Sequence, residues 1–599
     1  MLLEAIEHRP KMNWAYTVDK ETIHLRLRTK KQDVEQVHVV GGDKYAWDKT
    51  KTEIPMRIFA SDALFDYWEC EAKPPYRRFK YGFKLQGGGE TVWMNEDGFH
   101  FTERENADDF YEIAYINPED IIQTPEWAKH AVFYQIFPER FANGDPSRSP
   151  ENVQPWGGKP EVDSFFGGDL EGVRQHLDYI ADLGVTAIYF TPIFKAPSNH
   201  KYDTEDYLQL DPHFGDIDTL KCLIEECHGR GIRVLLDAVF NHSGKTFKPF
   251  VDVKENGADS AYADWFHVRE FPIDVKDGIP TYETFSFEPN MPKFNTGHPE
   301  VKKYLLEAAR YWIGEIGFDG WRLDVADEVD HRFWREFQTV VKEAKPDAYI
   351  VGELWHEATP WLQGDQFDSA MNYPFTYAVR DFVALGKTDA RKFSYSLSTQ
   401  LARYPLPVSQ AAFNLLDSHD TERMLTVADG DKNKLKLAVA IQMTYPGTPC
   451  VYYGDEIGID GGADPDCRKC MEWDESKQDL DLRDFYKNMI ALRHEYPALR
   501  TGRFDILHAE EGEHTLAYRR EDEEAALIVA LNASDKAASV EIEITDGMNK
   551  ADSWTVLHAG GADSEAAANR SLEAQKGRLT VELPAYGYLV LKANSSSAS

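Results

Sequence analysis

The sequence predicts a (β/α)8 TIM barrel with an inserted domain after the third strand, an N-terminal β-sandwich and a C-terminal β-sandwich. Three observations lead there. Apolar runs of strand length alternate with segments of helical spacing from about residue 130 to 500. The gap after the third run, roughly 243–297, is too long for an ordinary loop. Both flanks change to short alternating runs broken by turn residues, the pattern of sandwiches.

Residues 1–122 form the first sandwich, from runs at 23–29, 37–40, 56–59, 67–71 and 79–85, with turns at Gly41-Gly42 and Gly87-Gly88-Gly89. Tyr45 and Trp47 follow one of these turns; they suit either a sugar face or the edge of the core. The barrel occupies 123–242 and 298–502. Its strands read 131–137, 185–191, 232–240, 318–325, 349–354, 367–371, 412–416 and 449–453, with helices at 170–183, 216–230, 299–316, 331–344, 432–443 and 482–494 among the gaps. Residues 243–297 are the inserted domain, 503–592 the second sandwich, and 593–599 a low-complexity tail.

Hydrophobic residues make up 42% and aromatics 13%, enough for a large core rich in ring surface. A net charge of −36 argues against nucleic acid or an anionic membrane and for a neutral or cationic partner. The start lacks an apolar signal core and no run of ~18 apolar residues occurs, so a soluble, cytoplasmic protein is expected. Six cysteines are too few for a disulfide framework, and Cys467-Arg-Lys-Cys470 reads as reduced thiols in a loop rather than a zinc or redox site.

In a barrel the C-terminal strand ends build the site. Here the third reads Asp237-Ala-Val-Phe-Asn241-His242 and the fourth Gly320-Trp-Arg322-Leu-Asp324-Val-Ala-Asp-Glu328. The fifth reads Val351-Gly-Glu353-Leu-Trp355 and the seventh Asn414-Leu-Leu-Asp417-Ser-His419-Asp420. Arg322 and Asp324, two apart on a strand, share a face, and the arginine keeps the carboxylate ionised. Clustered acids around an arginine disfavour a zinc or iron site and fit glycoside hydrolysis, where one carboxyl attacks and another protonates the leaving oxygen.

These four strand ends resemble, in order and spacing, the four sequence regions of the α-amylase family of glycoside hydrolases. The N-terminal sandwich and Met291-Pro-Lys293 resemble one subgroup, the cyclomaltodextrinases, neopullulanases and maltogenic amylases. The resemblance implies Asp324 as nucleophile, Glu353 as general acid/base, and Asp420 as a stabiliser bound to the reacting ring's hydroxyls. It implies Arg322, His242 and His419 around that ring and Tyr202 stacked on it. Phe285, Trp355 and Tyr373 would line the leaving-group side, and Asp464 with Arg468 the far glycone side. The substrates implied are cyclomaltodextrins, maltooligosaccharides and pullulan, with some transglycosylation and no organic cofactor. A homodimer is also implied, in which the N-terminal sandwich of one subunit covers the other's barrel mouth and Tyr45 projects into it. Asn143, Asp145, Ser149, Gly167 and Asp169 resemble the family's calcium loop. Relatives usually place Asn and Asp where this chain has Arg148 and Ser149, so a loop held by Arg148 itself is the alternative. An exo-acting α-glucosidase would share all three acids, and a non-catalytic member would lack one or more.

Overall fold

Strands that are apolar throughout need both faces covered. In the computed structural model, which describes residues 1–104, 109–544, 551–561 and 570–594, eight such strands do form one parallel sheet. They are β1 (Phe133–Ile136), β2 (Ala187–Phe190), β3 (Arg233–Ala238), β4 (Gly320–Leu323), β5 (Tyr349–Gly352), β6 (Ser369–Ala370), β7 (Phe413–Leu415) and β8 (Thr448–Tyr452). The order is β6-β5-β4-β3-β2-β1-β8-β7, and a parallel bridge between Met371 and Phe413 joins the two ends into a barrel.

Around it pack α1 (Leu170–Gln175), α2 (Ile217–Gly229), α3 (Pro299–Tyr311), α4 (His331–Ala344), α5 (Ala390–Arg403), α6 (Lys432–Thr444) and α7 (Leu480–Glu495). Six of these seven start on an aspartate (169, 216, 330, 389, 431 or 479) whose side chain accepts from a backbone N–H of the first turn. Part of the acid surplus therefore serves helix starts, where a carboxylate meets the positive end of the dipole. Not all of it is a signal about partners.

The inserted segment buries Phe250, Trp265, Phe266, Tyr282 and Phe294, which extend the barrel's own hydrophobic core. Lys293 fastens it over the barrel mouth, bonding Asn241, the Glu328 carbonyl at 3.0 Å and the Glu328 carboxylate at 3.1 Å.

The N-terminal domain is two antiparallel sheets facing each other across Leu25, Leu27, Val37, Val39, Trp68, Phe83 and Leu85. It docks along α5 and the residues after it: Arg26 donates to the Tyr404 carbonyl at 2.7 Å and Lys31 to the Tyr395 hydroxyl at 2.8 Å. Trp47 packs edge-on against Phe110, centroids 5.0 Å apart, which is the core-edge reading. Tyr45 is 78% exposed. The C-terminal domain pairs a six-stranded antiparallel sheet with a two-stranded ladder, Ala538–Glu543 against Arg578–Leu583. Its last strand runs to Ala593, so the expected tail begins later; residues 595–599 lie outside the described residues.

Two local differences from the sequence reading matter for the site. The fourth strand, expected over 318–325, stops at Leu323. Val325 then sits at φ 44, ψ 47, a left-handed conformation that a β-branched residue adopts only when its surroundings force it. The helix expected over 299–316 keeps its α form to Tyr311, widens to a π turn over Trp312–Ile316, and ends at Gly317 with φ 101.

Candidate active site

Register builds the centre. Asp237 on β3 pairs with Arg322 on β4, and Leu323 on β4 pairs with Gly352 on β5. The next residue of each of those last two strands, Asp324 and Glu353, therefore emerges side by side at the C-terminal end. Arg322 sits beneath them, fully buried. Its Nη1 donates to both oxygens of Asp237 at 3.0 Å and to Asp324 Oδ1 at 2.8 Å. Its Nη2 lies 2.9 Å from Glu353 Oε1 without making a hydrogen bond. Glu353 is gripped on both oxygens, by the Trp355 indole N–H at 3.1 Å and the Val325 backbone N–H at 2.9 Å. The strained turn at Val325 is what aims that N–H.

Three carboxyls thus share one guanidinium. Burial pushes Asp237 up to about 6, with Arg322 opposing. Burial likewise drives Asp324 upward, Arg322 pulls it back, and the Glu353 and Asp237 charges add to the rise. A group of acids with too little positive charge keeps a proton near neutrality, which is what paired acid and nucleophile chemistry needs.

A second chain of bonds runs from Asp237 to Asp420. Tyr189 and Tyr202 donate to Asp237 at 2.6 and 3.0 Å. The Tyr202 hydroxyl also meets His419 Nε2 at 2.6 Å, and Gln135 meets His419 Nδ1 at 2.7 Å. Burial drives His419 well below the ordinary histidine value and His242 down to about 3, so both rings stay neutral hydrogen-bonding groups. His242 Nε2 is buried without a partner beside the cavity. On the other wall Arg468 bridges Asp420 at 3.2 Å and Asp464 at 3.1 Å.

All of this faces one cavity of about 550 Å3. Of the residues expected there, Tyr202, His242, Phe285, Asp324, Glu353, Trp355, Asp420, Asp464 and Arg468 line it. Arg322, His419 and Tyr373 stand behind the lining; Tyr373 supports Trp355 in a stack with centroids 3.9 Å apart. Tyr45 is not among the lining residues of this chain's cavity. The sequence reading assigned no role to Asp237, His200, Asp327 or Glu328; the last three line the wall and the first is the hub beneath it. Asp237 opens one of the strand-end motifs, but its role as hub follows only from the pairing of β3 with β4.

Comparison with known proteins identifies the family. Residues 135–502 match the alpha amylase catalytic domain and residues 1–117 the alpha amylase N-terminal ig-like domain. The chain belongs to the α-amylase family of glycoside hydrolases. It is 61% identical to a cyclomaltodextrinase of a Bacillus species over 90% of this chain and 96% of that one. It is 48% identical to neopullulanase 2 of Thermoactinomyces vulgaris over 92% and 94% of the two chains. A solved cyclomaltodextrinase structure superposes with a TM-score of 0.93 at 57% identity, covering 99% of this chain and 100% of that one.

The family's calcium loop is a different matter. Asp169 caps α1 and accepts from the Gly144, Asp145 and Gly172 N–H groups. Asp145 accepts from Ser147 and from Arg148, whose other arm reaches Asp216 at 2.6 Å. Asn143 donates to Ser149, which leaves Asn143 Oδ1 buried without a partner. Carboxylates already committed to backbone N–H groups and to a guanidinium fit poorly with an ion that takes six to eight oxygens. Among the described residues no group of three or more His, Cys, Asp or Glu is placed to hold a metal.

Cys467 and Cys470 are both free thiols, and burial raises them to about 12 and 11. No helix among the described residues is long and apolar enough to cross a membrane.

Proposed function

We propose that this chain hydrolyses α-1,4-glucosidic bonds of cyclomaltodextrins, maltooligosaccharides and pullulan with retention of configuration, and transfers part of the glycosyl intermediate to sugar acceptors. The observation that carries it is Asp324 and Glu353 held on one guanidinium in an aromatic-walled cavity. That shared cation keeps the two carboxyls close, as the roughly 5–5.5 Å spacing of retaining enzymes requires.

Asp324 attacks the anomeric carbon while Glu353 protonates the leaving oxygen; Glu353 then takes the proton of the incoming water or sugar hydroxyl. Asp420, fixed by Arg468 and His419, bonds the ring hydroxyls, and Tyr202 stacks on the ring's apolar face. Phe285 and Trp355, 36% and 39% exposed, offer the leaving-group side two ring faces. Chromatography of products from cyclomaltodextrin, pullulan and starch tests the reading: ring opening to short maltooligosaccharides is expected. Release of glucose from chain ends with rings left intact would mark an exo-acting α-glucosidase instead.

The exposed Tyr45 supports a homodimer through the N-terminal domain, with Tyr45 reaching the partner's cavity. A second wall excludes bulky starch by clash without adding attraction for small glucans. Light scattering of the intact protein should give twice the chain mass. Tyr45→Ala should narrow the preference for cyclomaltodextrin over starch, and a monomer at micromolar concentration would refute the shared site. Thiols left unpaired suit a reducing cytoplasm.

For the loop at 143–169 the cross-link by Arg148 stands in for a cation. A chelator should leave Tm unchanged, since no ligand is withdrawn from the native state. Arg148→Ala should lower Tm, and a chelator-sensitive Tm would restore calcium.

A further inference from the structure

His356 and Asp327 were absorbed by none of the roles above, yet they join the two segments that grip Glu353. Asp327 lies in the 3-10 turn Ala326–Glu328, directly after Val325, and lines the cavity. His356 follows Trp355. Their contact, His356 Nε2 to Asp327 Oδ2, is 3.0 Å. The other ring nitrogen, Nδ1, faces the Glu357 carbonyl at 3.0 Å. Both partners are acceptors, so the ring makes both bonds only when both nitrogens carry protons. Neutral imidazole must present a lone pair to an oxygen on one side.

We propose that the His356–Asp327 contact is a proton-dependent clamp on the leaving-group side that sets how the covalent intermediate divides between water and a sugar acceptor. This rests on the glycosyl-transfer reading given above. When the clamp is closed, Trp355 and the turn carrying Asp327 are held together, and the wall that a sugar acceptor must dock against is fixed. Water needs no such wall. When the clamp opens, docking of the acceptor weakens while hydrolysis continues.

The surroundings favour the closed form in mild acid. The Glu357 carbonyl first, and then the Asp327 carboxylate, raise His356 above its ordinary value of 6.5. The other titratable groups nearby are the Glu357 carboxylate, which also raises it, Glu353 on its own segment, Glu328 paired with Lys293 on the facing turn, and His331 across Trp361. The histidine is half exposed, so the effect is modest. For a group with a raised value the ion pair, with both bonds made, is present below it; as pH rises through it the charge and one of the two bonds are lost, and the hold on Asp327 weakens.

The test is the ratio of transfer to hydrolysis products from cyclomaltodextrin with excess glucose as acceptor, across mildly acidic to mildly alkaline pH. Both products leave the same intermediate, so titration of the catalytic carboxyls cancels in the ratio. In the native protein it should fall about two- to threefold as pH rises, the span of one screened ion pair. His356→Ala should flatten it at the low value. Asp327→Asn should flatten it at the high value, because an amide N–H can donate to neutral imidazole. A native ratio that does not move with pH, or a His356→Ala profile that keeps the native slope, would each overturn the clamp while leaving hydrolysis and transfer intact. An absence of transfer products, or of any α-glucan turnover, would instead contradict the reading it rests on.

Discussion

Asp324→Asn abolishes turnover on every α-glucan, by a factor on the order of 10⁶, because removing the group that forms the covalent bond leaves no alternative route. Glu353→Gln loses less, about 10²–10⁴-fold, because it removes proton transfer only. The two variants also part company on substrate. With an activated aryl glycoside, whose leaving group needs no proton, Glu353→Gln should recover much of its first step and Asp324→Asn none. Azide should rescue both alanine variants with opposite anomers, the α-glycosyl azide from Glu353→Ala and the β from Asp324→Ala. Either variant retaining a tenth of the native rate would remove that residue from its role.

Arg322 carries the second large effect. Arg322→Ala should lower stability by about 3–5 kcal/mol in urea titrations, since it strands buried carboxylates that one guanidinium had matched. It should also slow catalysis about 10²–10³-fold. The sign of the pH effect follows from the contacts. Arg322 pulls the Asp324 carboxyl down against burial, so without it Asp324 holds its proton to higher pH. The acidic limb of the pH–rate profile must then move to higher pH. A profile that keeps its native limb would mean that Arg322 is structural only.

Much of this was legible in the sequence because the signals are local. Parallel strands buried on both faces are short apolar runs, and acids placed at their ends are read directly from four short stretches. What escaped depends on register and distance. Asp237 gains its place from the pairing of β3 with β4, which no single stretch contains. Arg148 reaches Asp216, 68 residues away, across the start of α2. Val325 has the propensity of a strand residue, and only the demand for an N–H aimed at Glu353 turns it left-handed. The same limit hid His356 and Asp327, which are ordinary turn residues until the two loops meet.

Asp324 forms the covalent bond to the anomeric carbon, and trapping that bond is the most direct test. Incubation with a 5-fluoroglucosyl fluoride, which forms the intermediate faster than water discharges it, should add one glycosyl mass per chain. Proteolysis and mass spectrometry should place that mass on the peptide containing Asp324. A label on any other side chain, or first-formed sugars of β configuration by NMR, would contradict it.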